Sequence, residues 1–152
     1  MRLFGTDGLR GKAGEFPLDD GSVRRIGREL GRRLAGMEDG RRRVVVGGDT
    51  RESTPRIVAQ LAAGIQEGGG EVAAAGIIST PGVAEVVLEL GAGAGVSVSA
   101  SHNPWEDNGI KIFGRDGFKL PDAAEAEMET LIREPERLGD RQTGPAIGRA
   151  TK

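Results

Sequence analysis

The 152-residue sequence contains no cysteine, which excludes disulfide bridges and thiolate metal sites. It has one histidine, His102, so no pair of imidazoles can hold a metal ion. Lysine occurs only at positions 12, 111, 119 and 152, and arginine supplies most of the positive charge. No apolar run approaches the roughly 20 residues that a membrane-spanning helix needs. The opening MRLFGTDG lacks the apolar stretch of a secretory signal. A soluble, cytoplasmic protein with no membrane partner is expected. The formal net charge of −2 gives no electrostatic reason for a nucleic-acid partner. Several catalytic signatures are missing too. No G-x-S-x-G elbow, no Walker phosphate loop and no dinucleotide fingerprint is present.

What the sequence does have is an alternation of two periods. Residues 18–36 place Val23, Ile26, Leu30 and Leu34 on one helical stripe, with Asp19 or Asp20 as a cap. Residues 42–49, 71–78 and 95–100 read as short buried strands. Between them, residues 53–70 and 79–93 each open on Ser-Thr-Pro, a helix-start signal, and carry apolar residues at helical spacing. Residues 109–113 form a fourth strand, with 118–120 as a hairpin partner across Asp116-Gly117. Residues 121–134 close as a helix. Strand–helix alternation predicts an α/β fold of three layers, α/β/α. The sheet is expected to be mixed and mainly parallel, with about four strands plus a small hairpin. One domain over 1–134 is expected. Residues 135–152 lack periodicity and read as a linker toward a second domain that this sequence does not include.

The stretch VSVSASHNPWEDNGIKIFG, 96–114, concentrates the candidate chemistry. A strand runs into Ser101, His102, Asn103 and Pro104, and another strand returns. In open α/β sheets ligands sit beyond the carboxyl ends of parallel strands, where Ser101 is expected. Asp107-Asn108-Gly109 reads as the turn. Lys111 alternates with Ile110 and Ile112, about 7 Å inside the returning strand. A lysine ammonium near a serine hydroxyl suits phosphate chemistry. A triad through the adjacent His102 is awkward, because neighbouring residues on extended chain point apart. The GGDTR segment, 47–51, reads as a strand-end turn in which Asp49 caps the next segment and Arg51 at most supports a site. Arg41–Arg43 read as a solvated approach to a strand, and Trp105 as a cover over the loop base.

SASHNP followed by DNGIKI, together with FGTDGLRG, GGDTR and STPGVAEVV, resembles the phosphoserine domain of the α-D-phosphohexomutases over residues 1 to about 134. The opening is most similar to that of the phosphoglucosamine mutases of that family, with Leu9 where those have isoleucine. The resemblance implies that Ser101 carries a phosphoryl group and passes it to a hexosamine phosphate through a bisphosphate. It implies that Lys111 moves a proton, that Arg10 steadies the phosphoryl group, and that His102 and Asn103 share the loop. It also implies a Mg²⁺ ion bound to Ser101 through its phosphoryl group, with the other ligands outside this sequence. The implied partners are a hexosamine phosphate and the remaining domains of the enzyme. A polypeptide of these residues alone is expected to be inactive as a mutase and to self-associate through its uncovered face. Two alternatives stay open: a phosphomannomutase or phosphoglucomutase domain, or a non-catalytic module that binds sugar phosphates.

Overall fold

The computed structural model describes residues 3–5, 8–100 and 103–133. Its elements run β1 (Phe4–Gly5), β2 (Gly8–Lys12), α1 (Asp20–Leu34), β3 (Arg43–Gly48), α2 (Thr54–Gly68), β4 (Glu71–Ile77), α3 (Thr80–Leu90), β5 (Ala94–Val98), β6 (Asp107–Gly114) and α4 (Asp122–Arg133). Asp19 caps α1 by accepting the Ser22 N–H at 3.2 Å. Ser79 caps α3 the same way through Gly82, and Pro81 follows in the first turn. These are the donors that a helix start leaves unpaired.

The six strands make one sheet in the order β1-β2-β6-β5-β3-β4. β3 pairs in parallel with both β4 and β5, whereas β5–β6, β6–β2 and β2–β1 are antiparallel. The mixed α/β architecture is as expected, but the parallel part is confined to three strands. The difference lies near the N-terminus, where glycines hide a strand pattern: β2 nevertheless pairs along β6, and β1 along β2. Residues 118–120 do not form a strand. They hold β6 by a single bridge, Phe113 to Lys119, and Phe118 is 72% exposed, so no burial extends the pairing.

Alternation along the strands feeds two cores. Val44, Val46, Val96, Val98, Ile110 and Ile112 face α1, α2 and α4, where Ile26, Leu61 and Met128 are fully enclosed. Val45 faces the other way and packs under Val83 and Val87 of α3. Three layers result. α1 and α2 meet backbone to backbone. A Cβ on Gly27 or Gly31 would stand 2.4 or 2.3 Å from the carbonyl oxygens of Leu61 or Ile65, and one on Gly64 or Gly68 would stand 2.1 or 2.2 Å from those of Arg24 or Arg28. Glycine inside a helix costs about 1 kcal/mol relative to alanine. Here it permits close approach of two long faces. Arg24 and Arg28 then share Glu67 across the same seam.

No helix among the described residues is long and apolar enough to cross a membrane. The expected linker, 135–152, lies outside the described residues.

Candidate functional site

The parallel strands β3, β4 and β5 end on one edge of the sheet, and β6 starts there. Asp49 leaves β3 with its N–H on the Val98 carbonyl, 3.0 Å. Ser99 donates its N–H to Gly109 at 3.0 Å, and Asn103 donates to Ala100 at 3.1 Å. Ser101 and His102 lie outside the described residues.

Asp107, Asn108 and Gly109 are not a turn but the start of β6. The turn comes earlier, where Asp107 N–H donates to the Pro104 carbonyl at 3.0 Å. Local propensity is overridden by burial of Asn108, which is 0% exposed. Its amide donates to Ser53 Oγ at 2.8 Å and Thr54 Oγ1 at 3.1 Å, and its carbonyl oxygen accepts the Gly109 N–H at 2.9 Å. The side chain thus ties β6 to the start of α2. Trp105 is not buried beneath the loop among the described residues. It is 72% exposed, above a shallow recess shared with Lys12 and Glu52.

Two of the expected cations share a sheet face. Arg10 pairs opposite Gly109 in the β2–β6 ladder, one step from Leu9 opposite Ile110. Arg10 and Lys111 are therefore diagonal neighbours, a separation of about 7–8 Å in an antiparallel ladder, with the Cβ atoms somewhat closer. Each lies across a glycine of the other strand. A Cβ on Gly109 would meet Arg10 Cγ at 3.2 Å, and one on Gly8 would meet Lys111 Cγ at 2.8 Å. Arg10 Nη1 donates to Asn103 Oδ1 at 2.6 Å, and Asn103 Nδ2 donates to Asp107 Oδ2 at 3.2 Å. Arg10 Nε is buried with no acceptor among the described residues. Lys111 also borders a cavity of about 380 Å³ with Gly8, Thr80, Phe113, Lys119 and Glu125. Glu125 is buried there and paired with Lys119 at 3.2 Å.

Sequence reasoning underrated the GGDTR segment. Arg51 Nη1 donates to the carbonyls of Pro104 at 2.5 Å and Asp107 at 3.2 Å, and Nη2 to that of Asn103 at 2.9 Å. Its Nε is held by Asp49 Oδ2 at 3.1 Å. The other oxygen of Asp49 accepts from Thr54 Oγ1 at 2.9 Å and from the Arg51 N–H at 3.2 Å. Burial raises the Asp49 pKa. The Arg51 N–H, the Thr54 and Ser99 hydroxyls and the guanidinium together outweigh it and hold the carboxyl below its ordinary value. The available signal was position: an acid and an arginine directly after the central parallel strand, where open sheets bind ligands.

The family model for phosphoglucomutase/phosphomannomutase, alpha/beta/alpha domain I, matches residues 1–138. The chain belongs to this family. Among curated relatives, the phosphoglucosamine mutase of Koribacter versatilis is 51% identical over 150 residues, covering 96% of this chain and 32% of that protein. That of Moorella thermoacetica is 51% identical over 148 residues, covering 97% and 33%. The chain thus spans about a third of the length of these relatives. A solved phosphoglucomutase/phosphomannomutase family protein from Burkholderia thailandensis superposes with a TM-score of 0.69 at 27% identity, covering 88% of this chain and 30% of that one. The α/β fold and the domain I assignment agree with the resemblance seen in the sequence.

Among the described residues, no group of three or more Asp, Glu, His or Cys side chains could hold a metal ion. Asp49 is engaged by Arg51 and Thr54, and Asp107 by Asn103. These residues do not by themselves fit a Mg²⁺ ion.

Proposed function

We propose that this domain carries the phosphoryl group of a cytoplasmic phosphoglucosamine mutase, which interconverts glucosamine 6-phosphate and glucosamine 1-phosphate. Ser101 is the phosphoryl carrier. In the first half-reaction the bond from phosphorus to Ser101 Oγ breaks and one to a sugar oxygen forms, as the sugar hydroxyl gives up its proton. The bisphosphate reorients. Its other phosphoryl group then returns to Ser101 Oγ, and the serine proton leaves. Lys111 relays these protons. Arg10 neutralises charge on the transferring phosphoryl oxygens, and Asn103 holds Arg10 while His102 completes the loop. Phosphoryl transfer depends on alignment and charge neutralisation more than on covalent help from the protein.

The observation that supports the reading best is the pairing of Arg10 with Lys111 on one sheet face beside the loop that follows β5. The orphaned donor at Arg10 Nε suits an anionic ligand. The glucosamine substrate rests on the relatives' names. A Mg²⁺ ion would take a phosphoryl oxygen on Ser101 as one ligand and draw the rest from outside the described residues. The partners are a hexosamine phosphate and the further domains that lengthen the relatives threefold. A polypeptide of these residues alone is expected to show no turnover and to self-associate.

The test is intact-mass spectrometry of the full-length protein after incubation with a hexose 1,6-bisphosphate. One added phosphoryl group, absent in Ser101→Ala, is expected. A wild-type protein that never acquires it, or a Ser101→Ala variant that still does, defeats the proposal. Comparing glucosamine, glucose and mannose phosphates as substrates then decides the sugar.

A further inference from the structure

We propose that Arg51 is a positioning residue for phosphoryl transfer, acting through the backbone of residues 103–107; this rests on the reading that Ser101 carries the phosphoryl group. Three carbonyls within five residues, those of Asn103, Pro104 and Asp107, converge on one guanidinium. Arg51 comes from the end of β3, more than fifty positions earlier in the chain. Only 12% of its side chain is exposed, so water replaces these bonds poorly. The guanidinium is itself fixed from behind by Asp49, which is fixed in turn by Thr54 at the start of α2.

The loop is also tied by the Asn103 N–H on the Ala100 carbonyl at 3.1 Å and by Asn103 Nδ2 on Asp107 Oδ2 at 3.2 Å, but no other side chain among the described residues is shown gathering three of its carbonyls. Pro104 has no N–H to give to a ladder. The Glu106 carbonyl accepts the Ala13 N–H at 3.0 Å and the Pro104 carbonyl the Asp107 N–H at 3.0 Å, while those of Asn103, Pro104 and Asp107 all face Arg51. Asn103 reaches Arg10 from this same loop, so the guanidinium of Arg51 sets where the Arg10 partner stands. Five donors in a planar fork meet several carbonyls at once, and a lysine ammonium cannot copy that geometry. The consequence is kinetic. A loop displaced by about 1 Å costs roughly a hundredfold in a reaction that depends on alignment, while sugar binding elsewhere is untouched.

The experiment uses the full-length enzyme with Arg51→Lys and Arg51→Ala, assayed with glucosamine 6-phosphate. In both variants kcat is expected to fall by roughly tenfold to a hundredfold, with KM nearly unchanged. Added guanidinium should restore part of kcat in Arg51→Ala, and added ammonium should not. The rate of phosphoryl loading at Ser101 from a hexose 1,6-bisphosphate, read by intact mass, should fall in parallel. Near-wild-type turnover in Arg51→Lys overturns the proposal. So does a loss of activity that tracks loss of folded protein and that guanidinium does not restore, which makes Arg51 a residue of the fold alone. If wild-type enzyme loads no phosphoryl group on Ser101, the functional reading fails first and this inference falls with it. If wild type and both variants load at equal rates, only the role of Arg51 is lost.

Discussion

Gly8 lies directly beneath the side chain of Lys111. A Cβ on Gly8 would stand 2.8 Å from Lys111 Cγ and 2.4 Å from the Ile110 carbonyl oxygen, and the Gly8 φ of +87° disfavours any side chain. Gly8→Ala is therefore expected to cost about 2–3 kcal/mol and to shift the lysine. Urea unfolding measures the first effect and mutase turnover the second. An unchanged unfolding midpoint would show that the β2–β6 contact is looser than described.

The bond from Arg10 to Asn103 joins the second strand to the loop. A hydrogen bond to a charged group contributes about 1.5–3 kcal/mol, so Asn103→Ala is expected to lower kcat by roughly ten- to a hundredfold. Asn103→Asp keeps an acceptor for Arg10 and should retain more activity than the alanine. Equal activity in the two variants would remove Asn103 as the holder of Arg10.

The Asp49 carboxyl is held below its ordinary value of 3.8. A depressed folded pKa means that the group stabilises the fold at pH above the unfolded value. That contribution is lost as the pH falls through the folded value. Between about pH 5 and pH 3, the wild-type urea midpoint should therefore drop more steeply than that of Asp49→Asn. Parallel slopes for the two proteins would contradict the bonding assigned to Asp49.

Gly64→Ala places a methyl group against the Arg24 carbonyl, where only 2.1 Å is available. Overpacking of this kind costs typically about 1–3 kcal/mol, a fall of roughly 2–12 °C in melting temperature. Differential scanning calorimetry reads it directly. Gly36→Ala, whose added Cβ meets nothing within 4 Å, is the control that should melt close to wild type.

Much of the fold was legible because its signals are local. The Ser-Thr-Pro starts, the Asp19 cap and the helical stripe of Val23, Ile26 and Leu30 depend on residues a few positions apart. β1 and β2 were not legible, since Gly5, Gly8 and Gly11 interrupt alternation, and Gly8 is explained only by the Ile110 carbonyl and Lys111 across the ladder. Asn108 misled for the same reason. Its turn propensity is real, yet Ser53 and Thr54 capture its amide from another element. In the candidate site, Arg10 and Lys111 stood out as side chains in motifs. The reach of Arg51 did not, because its acceptors are main-chain carbonyls. Every residue carries one, so no residue type in the sequence marks them.

The glycine seam between α1 and α2 also limits how this sequence can change. In an ordinary core, a larger residue on one side can be accommodated by a smaller one opposite. Here the opposing atoms are peptide oxygens of Leu61, Ile65, Arg24 and Arg28, and no second substitution can trim a peptide oxygen. Positions 27, 31, 64 and 68 therefore have no rescuing partner. Variation along this pair of helices must pass through their outer faces.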